Sequence, residues 1–433
     1  MTRPLWATTD AGHPSAAMRF MVGDDLALDR VLLPFDIDAS IAHVRGLATI
    51  SALNRRDADT LCAALEQLKS ESESGDFTVD ERFEDGHSAI EWWLTERMGD
   101  LGKRVHLGRS RNDQSLVAIR LFMRDGLRRA RSLTLDAASA ALDVAQQHEH
   151  LPMPGYTHLQ RAVPSSVGLW MASFAESFLD DAELIEATLA WTDRCPLGTA
   201  AGYGVNLPLA RESVAGELGF SRLQLNPMSA QASRGKHEVQ AISALWQAAQ
   251  TVRRLAWDLT LFAASEFGFV SIPAEMSTGS SIMPGKRNPD VPELLRAHAS
   301  AISGAMFETM EAISLPSGYH RDLQRTKGPI VRAMDATNTA MQLLPDLIRG
   351  LRFHTDRMRS AIDRSMLATD IAVRLAADGV PFRDAYRQLA ERGTEGHDAS
   401  PESSIADRVS PGACADLRLD ALQSRLAEAR SSV

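Results

Sequence analysis

Helical periodicity sustained over stretches of about thirty residues constrains this chain more than any other feature. In residues 239–268, Val239, Ile242, Leu245, Trp246, Ala249, Val252, Leu255, Leu259 and Phe262 recur at three- and four-residue steps, the pattern of a helix with one buried stripe. Residues 164–193 repeat it through Leu169, Phe174, Phe178, Ala182, Ile185 and Leu189, and residues 290–315 through Val291, Leu295, Ile302, Met306, Met310 and Ile313. Stretches at about 113–150 and 325–350 bring the expected long helices to five. A helix of about 30 residues is roughly 45 Å long, too long for a compact two-layer domain, so the spacing predicts a mainly α fold with an extended bundle. Patterns of this length also point to assembly between chains. Period-two strand runs and Asn-Gly turns are lacking, so neither a β-rich nor a doubly wound fold is expected.

Around the bundle the chain reads in three parts: an N-terminal helical domain over 1–107, the long-helix domain over 108–350, and a small C-terminal helical domain over 351–433. The acidic, serine-rich "KSESESGDFTVDERFEDG" reads as a surface loop, and "GTEGHDASPESSIADRVSPGAC" as an irregular, turn-rich segment. The start of the chain has no apolar run behind a basic end, and the apolar segments elsewhere are broken by charges such as Arg253, Arg254 and Asp258. Neither a signal peptide nor a transmembrane helix is expected. Cys62, Cys195 and Cys414 lie far apart without CxxC spacing, which disfavours a disulfide framework or zinc site and fits a reducing cytoplasm. With 46 basic and 56 acidic residues the net charge is −10, which argues against general nucleic-acid binding. Any anion-binding site must therefore be local.

Four loop-like stretches carry more polar chemistry than connectors need: "FEDGHSAIE", "VHLGRSRNDQ", "MPGYTHLQRAVP" and "TGSSIMPGKRNPD". In the second, Asn112 or Asp113 suits a helix cap, while the paired arginines beside helix-start N–H groups suit a carboxylate. In the third, His158 reads either as a hydrogen-bonded structural histidine or as a general acid or base. Glu293, three residues after Asp290 and next to Pro292, reads either as part of a capping box or as a partner for such a histidine. In the fourth, Gly279 and Gly285 let backbone approach an anion, and Lys286 supplies a cation near Ser280 and Ser281.

Together these stretches resemble the argininosuccinate lyase family of the fumarase/aspartase superfamily. The match runs from about residue 20 to about residue 390 and includes "SEFGFV", "SGYHRDLQRTK" and "MLATDIAV". The GSSxMPxKxNP loop belongs to the whole superfamily, whereas "GRSRNDQ" with "YHRDLQ" points to the argininosuccinate branch. The resemblance implies β-elimination of argininosuccinate to arginine and fumarate. It implies Ser280 as the base, Lys286 as the cation that stabilises the dianionic intermediate, and His158, held by Glu293, as the acid or its relay. Arg111, Asn112, Thr157, Asn288, Tyr319, Gln324 and Lys327 would hold the substrate, and His87 would lie near it. No metal or organic cofactor is implied. A cytoplasmic homotetramer is implied, each site drawing its loops from three subunits, with no nucleic-acid or membrane partner.

The sequence departs from the family pattern in several places. Leu107 stands for a threonine, "PLGTAAGYGVNLPL" differs from the usual loop, Gly235 aligns with an arginine, and "MVGDDLALDR" lacks a serine that commonly contacts substrate. Another superfamily lyase, acting on adenylosuccinate, aspartate or malate, is disfavoured by "GRSRNDQ" with "YHRDLQ". A catalytically idle, crystallin-like relative is disfavoured by His158, Ser280 and Lys286.

Overall fold

The structure is a computed structural model that describes residues 16–431. The first fifteen residues, where most of the reading of the N-terminus falls, and the last two lie outside the described residues. The fold is mainly α, and among the described residues no helix is long and apolar enough to cross a membrane. The chain divides into two compact units. One comprises Met1–Arg129, Ile185–Leu245 and Ala301–Ala336; the other comprises Ala130–Leu184, Trp246–Ser300 and Thr337–Val433.

Four of the five expected long helices form as single elements: Arg111–Gln147, Val167–Thr192, Lys236–Phe262 and Asp290–Ala312. In Val167–Thr192 and Lys236–Phe262 the stripe is the buried face, with Phe178, Ile185, Ile242, Leu245 and Leu259 among the least exposed side chains, whereas Asp290–Ala312 buries Leu295 and Ile302 but leaves Met310 45% exposed. The fifth, expected over about 325–350, is broken. A 3-10 turn Arg321–Thr326 leads into Lys327–Met341, and a second short helix follows over Leu344–Arg349. Pro345 explains the interruption, because it lacks an N–H and its ring would meet the carbonyl of Met341 in a continuous helix.

In the first unit, helices Asp25–Thr49, Arg55–Ser74 and Gly86–Met98 enclose a core of Leu33, Ile37, Val44, Leu47, Leu61, Leu65, Trp93 and Leu94. Asn54 caps the second helix by accepting the Asp57 N–H, and Asp85 with Ser88 forms a capping box on the third. These caps fix where "FEDGH" ends and the helix carrying His87 begins.

In the second unit, residues Pro152–Thr157 pair antiparallel with Gln160–Ser166, a hairpin where sequence reading expected only loop. Its prolines hid it. Pro154 lies opposite Pro164 in a two-stranded ribbon, where each strand has one neighbour and a missing N–H is tolerated. The ribbon rests on an aromatic cluster, with Tyr156 edge-on to Phe267 at 5.6 Å and Phe262 edge-on to Trp170 at 5.3 Å. Trp170 in turn donates its indole N–H to Asp258 at 2.9 Å.

Backbone shape is most demanding at Gly235, just before the Lys236–Phe262 helix. Its φ is +81°, and a Cβ there would stand 2.0 Å from the Ile313 methyl. Gly235→Ala is expected to lower stability by about 2 kcal/mol or more. Gly216→Ala, in a helix with no atom near the added methyl, is expected to be neutral or stabilising. Urea denaturation of the two variants distinguishes the outcomes.

Candidate active site

The start of the Arg111–Gln147 helix is set by its own side chains. Ser110 is the cap, its hydroxyl accepting the Asn112 N–H at 3.0 Å, so neither Asn112 nor Asp113 takes that role. Asp113 reaches back to the Ser110 N–H at 3.0 Å and also accepts the N–H groups of Gly198 and Ala200, each at 2.9 Å. This carboxylate is fully buried, and it pins "GRSRNDQ" against the divergent 196–209 loop. Arg111 and Asn112 are thereby fixed at the helix start.

Six of the expected substrate residues, His87, Arg111, Asn112, Tyr319, Gln324 and Lys327, line one cavity of about 210 Å³ within the first unit. Lys327 is buried and held by Asp29 at 2.7 Å and Asp25 at 3.3 Å. Burial opposes its charge, but the two carboxylates outweigh burial and raise its pKa. Burial also pushes Asp25 up to about 6 against the pull of Lys327. Arg111 is paired with Glu84 and, at 3.0 Å, with Asp85. Gln324 donates to the carbonyls of Met21 and Val22 at 2.9 and 3.2 Å. Arg234, Asp25, Asp29 and Asp36 line the same cavity but were not singled out as site residues from sequence.

His87 sits in a polar relay. Gln114 donates to Asp36 at 2.6 Å, so its carbonyl oxygen faces His87 Nδ1, which must carry the proton. Nε2 is then the nitrogen with a free lone pair. The His106 ring stacks on His87 at 3.7 Å. Burial lowers the pKa of His87 to about 4, Arg109 adding to it against the pull of Asp85; burial and Arg109 lower that of His43 to about 3. Asp36 moves the other way, raised to about 7 by burial despite Arg109. His87, Glu91 and His106 bring donor atoms within 4.8 Å of one another. Both nitrogens of His106 are nevertheless engaged, Nδ1 by Arg109 at 2.9 Å and Nε2 by the His87 carbonyl at 3.2 Å. That donor set is committed to holding the loop.

The remaining candidates belong to the second unit. His158 and Leu159 form the two-residue turn of the hairpin, with φ of 55° and 58°. Both lie in the left-handed region that a tight turn of this kind requires, at a cost for residues with a Cβ. Thr157 and His158 are exposed, and among the described residues the His158 ring has no hydrogen-bond partner. Residues Thr278–Gly279 pair with Arg287–Asn288, making the signature loop a small hairpin. Ile282 at its tip is 82% exposed, and Lys286 is exposed too. The Ser280 oxygen accepts the N–H groups of Ile282 and Met283 at 3.3 and 3.1 Å, rather than meeting Lys286.

The capping box expected from Asp290 and Glu293 does not form. Asp290 accepts the N–H and hydroxyl of Thr278 at 2.9 and 2.6 Å, closing the base of the loop. Glu293 is exposed and pairs with Arg296 at 3.4 Å.

Residues 12–304 match the Lyase family model. The argininosuccinate lyase of Xanthomonas oryzae pv. oryzae is 51% identical over 426 residues, covering 98% of this chain and 99% of that relative. The argininosuccinate lyase of Xylella fastidiosa is 50% identical over 426 residues, covering 98% and 96%. Among solved structures, EDDS lyase in complex with formate superposes with a TM-score of 0.83 at 23% identity, covering 97% of this chain and 92% of that one. Class II fumarase from Schistosoma mansoni gives 0.73 at 16% identity, covering 97% and 96%. These two likenesses establish a shared fold.

The buried histidines make acid stability testable. His43 and His87 stay neutral in the folded chain below their ordinary value of 6.5. Their contribution is complete above pH 6.5 and is lost as pH falls toward 4 and 3. Asp36 opposes this trend, because its contribution is complete below its ordinary value of 3.8 and is lost as pH rises through about 7. Urea midpoints should therefore fall between pH 6.5 and 4, less steeply in His43→Gln and more steeply in Asp36→Asn.

Proposed function

We propose the following mechanism from the premise that the chain belongs to the argininosuccinate lyase family. The protein is a carbon–nitrogen lyase that splits argininosuccinate into arginine and fumarate, a step of arginine biosynthesis. Ser280 takes the proton from the succinyl carbon next to a carboxylate, and the electron pair moves into that carboxylate as an aci-carboxylate. Lys286 offsets the extra negative charge. The carbon–nitrogen bond then breaks, and the departing guanidino nitrogen receives a proton from His158, oriented by Glu293. Serine and histidine supply the proton transfers and lysine the charge stabilisation, so the reading calls for no metal or organic cofactor.

One observation supports the base role in particular. Two backbone N–H groups point at the Ser280 oxygen, and hydrogen bonds to an oxygen favour its anionic form. The exposed hairpin around it has the character of a lid. Thr157 and Asn288 would meet the substrate from the second unit, and His87, Arg111, Asn112, Tyr319, Gln324 and Lys327 from the cavity of the first. The reading includes a homotetramer with each site shared between three subunits, a cytoplasmic location, and the division into 1–107, 108–350 and 351–433. The unpartnered His158 and the exposed Glu293 fit a site completed by neighbouring chains.

Purified protein is expected to release fumarate from argininosuccinate, seen as rising ultraviolet absorbance, without added metal or nucleotide. Release only from adenylosuccinate or aspartate would overturn the substrate assignment. Ser280→Ala is expected to lower kcat by about 10²-fold or more with the assembly intact by light scattering. Near-normal turnover in that variant would remove Ser280 from the base role.

A further inference from the structure

We infer that Arg234 is a specificity-determining residue of this site, its guanidinium receiving the α-carboxylate of the arginine half of the substrate. The inference deepens the proposed function and rests on it. Arg234 is 4% exposed and lines the cavity that holds Arg111, Tyr319 and Lys327. Among the described residues its Nε has no hydrogen-bond partner and no carboxylate forms an ion pair with it, Asp25 and Glu238 acting on it only through longer-range charge. Its guanidinium carbon lies 6.0 Å from the centroid of the Tyr319 ring.

The other cations of the cavity are satisfied. Arg111 is paired with Glu84 and Asp85, Lys327 with Asp25 and Asp29, and Arg321 with Glu84 at 3.6 Å. A buried cation without a direct ion-pair partner is unfavourable unless an anion completes it. Arg234 is therefore a preformed anion receptor.

The lining of the cavity decides which anion. Asp25, Asp29, Asp36 and Glu84 surround it, and the two carboxylates of a succinyl group would both meet their repulsion. An α-amino-acid head suits the place better. Its carboxylate pairs with Arg234, and its ammonium pairs with Asp25, the more distant of the two carboxylates on Lys327.

The backbone explains why the arginine stands at 234 and not at 235. Position 235 is held at φ +81° with no room for a side chain against Ile313, and its N–H donates to Glu238 at 2.7 Å. That rigid turn fixes the backbone from which Arg234 projects. The arginine that sequence comparison finds missing at 235 is supplied one residue earlier.

The test is inhibition of argininosuccinate cleavage, on the full assembled enzyme, by arginine, by agmatine and by fumarate. Agmatine has the same chain as arginine without its carboxylate. Wild type is expected to bind arginine about tenfold or more tightly than agmatine, the scale of a charged hydrogen bond. Arg234→Gln should weaken arginine by about the same factor, bringing it level with agmatine and leaving agmatine and fumarate unchanged. Arg234→Lys should restore part of the loss. Equal binding of arginine and agmatine by wild type would overturn the assignment, as would an Arg234→Gln variant that loses fumarate binding instead. If Arg234→Gln fails to assemble, the wild-type comparison decides alone. A wild-type enzyme that cleaves no argininosuccinate would overturn the proposed function itself, a result distinct from cleavage without arginine preference.

Discussion

Asp113 is the constraint on which the cavity depends. A fully buried carboxylate must have its oxygens occupied, and here three backbone N–H groups from two separated stretches of chain do so. The loop of residues 196–209 is thereby tied to the start of the longest helix. Gly198 is part of the same solution, since a Cβ there would stand 2.8 Å from the Arg211 side chain. With that junction fixed, Arg111, Asn112 and Gln114 point from a rigid helix start, and Gln114 carries the order on to His87.

The cavity then shows a division of labour among charges. Lys327, Arg111 and Arg321 are matched to carboxylates before any substrate arrives. Paired charges hold shape, because moving one partner would leave the other uncompensated in a poorly solvated place. Arg234 is the exception, with no direct ion-pair partner among the described residues, and is the cation proposed to receive the ligand. Burial keeps His87 neutral and the relay from Asp36 through Gln114 fixes its tautomer, so that side chain presents an acceptor rather than a second cation.

Much of this was legible in the sequence, for physical reasons that differ from part to part. Long helices announce themselves because a buried stripe must recur at three and four residues, and the stripes through Ile242 and Phe178 are buried as read. The loops between them stood out through residue chemistry, but the six substrate residues that share a cavity came from the family resemblance, and of them only His87, Arg111 and Asn112 lie in those loops. What escaped depends on contacts distant in sequence or on local exceptions. Pro345 broke a helix whose apolar pattern runs on, and prolines disguised a ribbon that has only one partner per strand. Ser110 rather than its neighbours became the cap, with Asp113 reaching back to the Ser110 N–H while its other oxygen takes the N–H groups of Gly198 and Ala200. Arg234 was overlooked because an equal-length alignment cannot see that Gly235 occupies a turn with no space for a side chain.

The polar groups fall into two sets along the chain. Ser280, Lys286 and His158, the residues proposed for the elimination, belong to the second compact unit, and the cavity residues Arg111, Tyr319 and Lys327 to the first. The proposed mechanism needs both sets at one substrate, contributed by different copies of the chain. Complementation between inactive variants tests this most directly: Ser280→Ala and Lys327→Met are purified separately, dissociated, mixed and reassembled, and fumarate release is measured. Shared sites predict that the mixture regains a substantial fraction of wild-type activity, because some sites then draw both intact sets. A mixture no more active than either parent would contradict them.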